Sequence, residues 1–173
     1  LNRGRHPLIW ALTLGLKKSA STFFFMEEGA DDGDVLSQVP FDISYEDDAK
    51  TLYTKVIHLA IEQIQDFVPK LERNKFNKIK QDHSSSNNWR KRTKKDGLIN
   101  FRMTSNSIYN LVRALTNPYV GAHLEYREND VSIWKVQEVK CDFANIEPGK
   151  VLSVDNNNIL VKTCDGAVNI LSH

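Results

Sequence analysis

The residues best suited to chemistry sit in one short acidic turn. Gly29-Ala-Asp-Asp-Gly33-Asp34 places three carboxylates between two strand-forming stretches, Ser21–Met26 (STFFFM) and Val35–Val39. Asp31 is the candidate, because a carboxylate held between two buried strands can have its ionisation tuned and can relay a proton. Gly29 and Gly33 allow the backbone angles that such a tight turn needs. The plainer reading of an Asp here is a solvated turn-former, and Asp32 and Asp34 are read that way. A second group of residues is Arg90-Lys-Arg-Thr-Lys-Lys95, with Trp89 before it. Guanidinium forks hold phosphate at two points, and an indole can stack on a base. The plainer reading of that run is a solvated linker. His6 and His58 stand alone, and no His or Cys spacing suits a metal.

The rest of the chain must position these groups. Its 173 residues are 40% hydrophobic and 26% charged, an ordinary globular composition rather than a disordered or collagen-like one. Cys141 and Cys164 are too few for a disulfide framework and suit a reducing compartment. No apolar run reaches the ~20 residues that span a bilayer. Leu1–Ser21 has the outline of a secretory leader, but Lys17–Lys18 interrupts it. A helix after Pro7 is the better expectation, with Leu8, Ala11, Leu12 and Gly15 on one face. The chain begins with Leu rather than Met, and part of a longer protein is expected.

Charge divides the chain in three. Residues 1–74 carry 8 basic against 12 acidic side chains, 75–117 carry 10 against 2, and 118–173 carry 5 against 8. The middle therefore holds the positive potential, and Asp82–Asn88 (DHSSSNN) is the linker candidate within it. Pro40 should end the strand from Val35. Ser44-Tyr-Glu-Asp47 resembles a capping box. The helix behind it shows Leu52, Val56, Leu59, Ala60, Gln63 and Phe67 at helical spacing and should stop near Pro69. A second helix is expected over Ser105–Leu115, with Ile108, Leu111, Val112 and Leu115 inward. Short strands follow at His123–Tyr126, Val131–Val139, Lys150–Val154, Ile159–Thr163 and Val168–Leu171, indicating a small barrel or sandwich. Two strands and two helices ahead of them cannot form a doubly wound sheet with both faces covered.

In order and spacing these residues resemble the formyltransferase family, which includes methionyl-tRNA and sugar-nucleotide N-formyltransferases. The resemblance rests on Arg3-Gly4 with Pro7, Ser21-Thr22, Asp31-Asp-Gly33, Arg92-Thr93, Asp96, Ile99, Phe101, Val112-Arg113-Ala114 and Asn117-Pro118-x-x-Gly121-Ala122. It implies an α/β fold: the C-terminal part of a Rossmann-like formyltransferase domain (1–80), a basic linker (81–104), and a helix with a small OB-like β-barrel (105–173). It also implies a cytoplasmic enzyme using 10-formyltetrahydrofolate as formyl donor, with an amine attacking the formyl carbon through an oxyanion-bearing intermediate. By the same resemblance Asp31 orients a histidine and relays the proton, while Arg3, Gly4 and Gly33 shape the folate or active site. Arg92 and Thr93 would bind the phosphates of a nucleotide-sugar. The family's Asn and His would fall about eight and six residues ahead of Leu1, by motif counting. A net acidic C-terminal segment disfavours tRNA as acceptor, and the phrase STFFFMEEGADDGD looks more like the sugar-nucleotide branch. The expected reaction is therefore N-formylation of a nucleotide-linked amino-sugar of the kind used in surface polysaccharide. Methionyl-tRNA formylation is the alternative, and a non-catalytic binding or homodimerisation module is the third reading.

Overall fold

The computed structural model describes residues 2–173. Its elements are β1 (Arg3–Gly4), α1 (Pro7–Thr13), β2 (Lys18–Phe24), β3 (Val35–Asp42), α2 (Ala49–Glu72), β4 (Asn88–Trp89), α3 (Ser105–Leu115), β5 (Ala122–Tyr126), β6 (Asn129–Ile133), β7 (Lys135–Val139), β8 (Val151–Asp155), β9 (Asn158–Lys162) and β10 (Ala167–Ser172). A 3-10 turn occupies Lys94–Gly97.

Pro7 opens α1 with the φ it already favours, and the helix buries Ile9, Ala11 and Leu12. β2 and β3 form an antiparallel hairpin with the acidic turn at its tip, and the Phe25 N–H donates to the Asp34 carbonyl at 2.9 Å. Pro40 lies inside β3, opposite Ala20, instead of ending it. Ile43 donates to the Lys17 carbonyl, so alternate residues from 43 face β2 and the Pro40 nitrogen faces the open edge, where no donor is required.

α2 begins four residues later than the Ser44–Asp47 motif suggests. Asp47 accepts the Ser44 N–H at 2.7 Å, forming a turn rather than a cap. The cap is Asp48, which accepts the Thr51 N–H at 2.8 Å while Thr51 Oγ1 accepts the Asp48 N–H. The expected inward stripe is present: Leu52 and Gln63 are buried, and Phe67 meets Phe23 at 4.9 Å between ring centroids. Pro69 sits within the last turn, and the helix runs on to Glu72. Tyr53, Ile57, Ile61, Ile64 and Val68 leave a second apolar stripe exposed.

The C-terminal strands differ from the expected OB-like barrel. Among the named strands β5 and β6 pair only with each other, with Leu98 bridging β5 at His123, and the remaining four form an open antiparallel sheet in the order β7-β10-β9-β8. Trp134 is the physical reason for the split. It alone separates β6 from β7, and its N–H donates to the Ser172 carbonyl, passing the chain from the hairpin to the sheet. One core nevertheless runs through the molecule, from Ile9 and Leu12 through Leu52, Ile108 and Val112 to Ile133 and Val168. α3 is its axis. Thr104 caps it by accepting the Ser107 N–H, and Ile108, Leu111, Val112 and Leu115 are all buried.

A buried arginine locks α3 to the approach to α2. Arg113 donates to the carbonyls of Ser44, Tyr45 and Asp47 at 2.8–3.2 Å and to Asn110 Oδ1 at 2.8 Å. The Tyr45 and Tyr109 rings stack beside it, 4.4 Å apart. Asp47 also takes Lys55 at 2.5 Å. Burial pushes the Asp47 pKa up, but the hydrogen bonds from Lys55, Ser44 and Thr51 outweigh it and hold the carboxyl below its usual value.

Residues 81–104 are laid against the N-terminal segment rather than hanging free. β4 pairs in parallel with β1, Arg3 with Asn88 and Gly4 with Trp89. The DHSSSNN segment is a built turn, in which Ser84 and then Ser85 donate to Asp82 and bring its pKa down to about 2.

Candidate active site

Asp31 is half-buried at the tip of the β2–β3 hairpin, in the left-handed region at φ 58°. Its Oδ2 accepts the Gly4 N–H at 3.0 Å, which ties the acidic turn to β1. Gly4 is itself fixed by geometry: φ is +102°, and a Cβ would stand 2.3 Å from the Trp89 carbonyl oxygen. Gly33 is constrained likewise, since a Cβ there would lie 1.7 Å from the Phe25 carbonyl oxygen. Arg3 Nη2 donates to Gln81 Oε1 at 2.7 Å, and Gln81 Nε2 donates to the carbonyls of Asp31 and Gly33. Gln81 thus bridges the arginine and the turn.

These groups line one cleft of about 580 Å³, which holds Arg3, Gly4, Asp31 and Gln81 together with Thr22 and Gln38. Two buried polar atoms beside Asp31 have no partner among the described residues, Arg3 Nε and Asp32 Oδ1. The arrangement suits proton handling. One carboxylate oxygen is anchored by a backbone N–H, and Oδ1 makes no hydrogen bond among the described residues.

Arg92 and Thr93 belong to a second cavity, of about 530 Å³, that does not include Asp31. Arg92 stacks over the Trp10 ring at 4.6 Å and donates to the Asp96 carbonyl at 2.6 Å. Burial holds its pKa below the usual arginine value. Thr93 donates its hydroxyl and its N–H to Asp96, which Arg90 also clamps. Hydrogen bonds from Arg90 and then Thr93 hold the Asp96 carboxyl far below its usual range. His6 faces this second cavity, whereas His58 is exposed on α2. Among the described residues no group of three His, Cys, Asp or Glu could hold a metal, and no helix is long and apolar enough to cross a membrane.

Sequence reasoning missed Gln81 and Trp10. Gln81 carried no signal, being one polar residue in a polar stretch. Trp10 sits off the apolar face of a helix of about two turns, and an aromatic there was a hint that the basic run would fold onto it.

The molecule is thus a mixed α/β hairpin-and-helix unit joined through α3 to an open β-sheet, with an Arg-Gly strand and a D-x-G turn meeting in one cleft. Solved structures agree: an N-formyltransferase from Helicobacter canadensis, in complex with folinic acid and dTDP-3-aminofucose, superposes with a TM-score of 0.76 at 18% identity, over 99% of this chain and 62% of that one. The family described as "Formyl transferase" matches residues 2–68, and "Formyl transferase, C-terminal domain" matches 91–173. The chain belongs to the formyl transferase family. It is 36% identical over 163 residues to the bifunctional polymyxin resistance protein ArnA of Wigglesworthia glossinidia brevipalpis, covering 94% of this chain and 24% of that protein. It is 34% identical to a methionyl-tRNA formyltransferase of Ruminiclostridium cellulolyticum, over 97% of this chain and 54% of that protein. The chain thus spans a quarter to about half the length of these curated relatives.

Proposed function

We propose that this chain contributes to formyl transfer from 10-formyltetrahydrofolate to the amine of a nucleotide-linked amino-sugar. In this reading residues 1–80 continue a catalytic domain, 81–104 connect, and 105–173 form the C-terminal subdomain. The observation that carries it is Asp31, anchored on the Gly4 N–H in a cleft with Arg3, in the order in which the family's motifs occur. The donor supplies an activated formyl carbon. Asp31 holds a proton acceptor at the cleft, Gly4 and Gly33 set its position, and Arg3, held by Gln81, shapes the folate side of the cleft. In this reading Asp31 orients a histidine and relays the amine's proton. Arg92 and Thr93 serve the phosphates.

The acceptor reading draws support from charge. Arg90 is paired with Asp96 and Lys94 with Asp130, so two of the five cations of Arg90–Lys95 are neutralised within the chain. Transfer RNA needs many free phosphate contacts. Methionyl-tRNA remains the second reading because one relative carries that activity in its name. Labelled formyl transfer by the native-length protein decides between them, with a UDP-linked 4-amino-4-deoxy sugar and methionyl-tRNA as acceptors. The expected result is formylated nucleotide-sugar with little dependence on salt. Formylation of methionyl-tRNA alone, lost steeply as salt rises, would overturn it.

A further inference from the structure

The acidic turn and the Arg-Gly strand are strapped together by the segment that returns after α2. Its first contact is a backbone bridge at the start of β3, where Val35 and Ile79 exchange N–H donations at 2.8 and 2.9 Å. Its last is β4, which pairs with β1. Between the two, Gln81 reaches the turn and the strand at once. Its Nε2 donates to the Asp31 carbonyl at 3.1 Å and to the Gly33 carbonyl at 2.5 Å, while its Oε1 accepts Arg3 Nη2 at 2.7 Å. The neighbours fix which way this amide points. A guanidinium only donates and a carbonyl only accepts, so the amide oxygen faces Arg3 and the nitrogen faces the turn. A carboxylate at this position could not serve the carbonyls, and an ammonium could not serve Arg3. The turn needs such a clasp. Asp31 lies in the left-handed region at φ 58°, a conformation that a side chain disfavours and that persists only where the surroundings hold it. Gly4 holds its carboxylate through Oδ2, and Gln81 holds its backbone. Gln81 is half-buried and lines the same cleft as Asp31.

We propose that Gln81 is a positioning residue for the transfer. It sets the backbone of Asp31, and with it the placing of the carboxylate against the reacting amine, without touching either substrate. The inference rests on the formyl-transfer reading above and adds the residue that aligns its base. Two variants of the native-length protein separate the ends of the amide. Gln81→Glu keeps an acceptor for Arg3 and loses both donations to the turn, whereas Gln81→Met loses all three bonds at similar length. In both, kcat should fall about tenfold while KM for donor and acceptor stays within about twofold. Because Gln81 acts through Asp31, adding Gln81→Glu to Asp31→Asn should cost little more than Asp31→Asn alone. Amide hydrogen exchange supplies a readout independent of activity. The Gly4 N–H reports its bond to Asp31, and the Arg3 and Arg5 N–H groups report the pairing of β1 with β4. Gly4 should exchange about tenfold faster in both variants, with Arg3 and Arg5 unchanged, which a general loss of structure would not give. Gly4 exchange at the wild-type rate in both variants would overturn the proposal. So would a raised KM with kcat preserved, which would make Gln81 a substrate contact, or losses that multiply in the double variant. Failure of the formyl-transfer reading looks different. A wild-type protein that transfers no formyl group to the amino-sugar or to methionyl-tRNA would overturn that reading, and the catalytic part of this one, whatever the Gly4 amide does.

Discussion

At the scale of single residues, the cleft is held by glycine geometry as much as by charge. Gly4 combines a positive φ with a backbone approach to Trp89 that leaves no room for a methyl group, and its N–H is the anchor for Asp31. Gly4→Ala must therefore shift β1 away from β4 and release the carboxylate. The expected cost is about 2–3 kcal/mol, from the left-handed backbone and the displaced pairing. Urea unfolding measures it, and an unchanged midpoint would show that β1 and β4 are not held as described. The turn that holds Asp31 could be read from the sequence because its flanking strands are local signals, and the family resemblance singled out Asp31 within it. Its partner Gly4 lies 27 residues away and Gln81 50 residues away, and no local pattern announces either contact.

At the scale of elements, the join between the α/β unit and the C-terminal sheet depends on α3. Arg113 is buried and satisfies three carbonyls ahead of α2 together with Asn110. Arg113→Met would fill similar space but leave those acceptors unpaired, at roughly 3 kcal/mol or more. For a chain of this size that is a fall in melting temperature of roughly 6–12 °C, and calorimetry checks it. A fall of under a degree would mean that the helix is held by its apolar face alone. α3 was legible in full, because Thr104 caps it and its apolar residues keep helical spacing. Pro40 does not end β3 because its nitrogen faces the open edge, where no donor is needed, whereas α2 carries Pro69 in its last turn and runs three residues past it to Glu72, at the loss of one backbone hydrogen bond. The barrel was misread because strand spacing says nothing about which strands pair. The split at Trp134 is a tertiary event.

At the scale of the whole molecule, two cavities flank one N-terminal segment, and a single core behind them holds both in place. The charge count suggested a freely positive middle. The fold instead lays that stretch on Trp10 and pairs Arg90 and Lys94 with acidic partners, leaving Arg92 as the cation aimed into a cavity. The central claim is that Asp31 handles a proton in formyl transfer, and the most direct measurement is the transfer rate of the native-length protein beside its Asp31→Asn variant. 10-Formyltetrahydrofolate and a nucleotide-linked amino-sugar are the substrates. Asparagine keeps an oxygen for the Gly4 N–H but removes the basic carboxylate, so the fold should survive while the rate falls about a hundredfold or more. A variant that folds alike and transfers formyl at the wild-type rate would contradict the account.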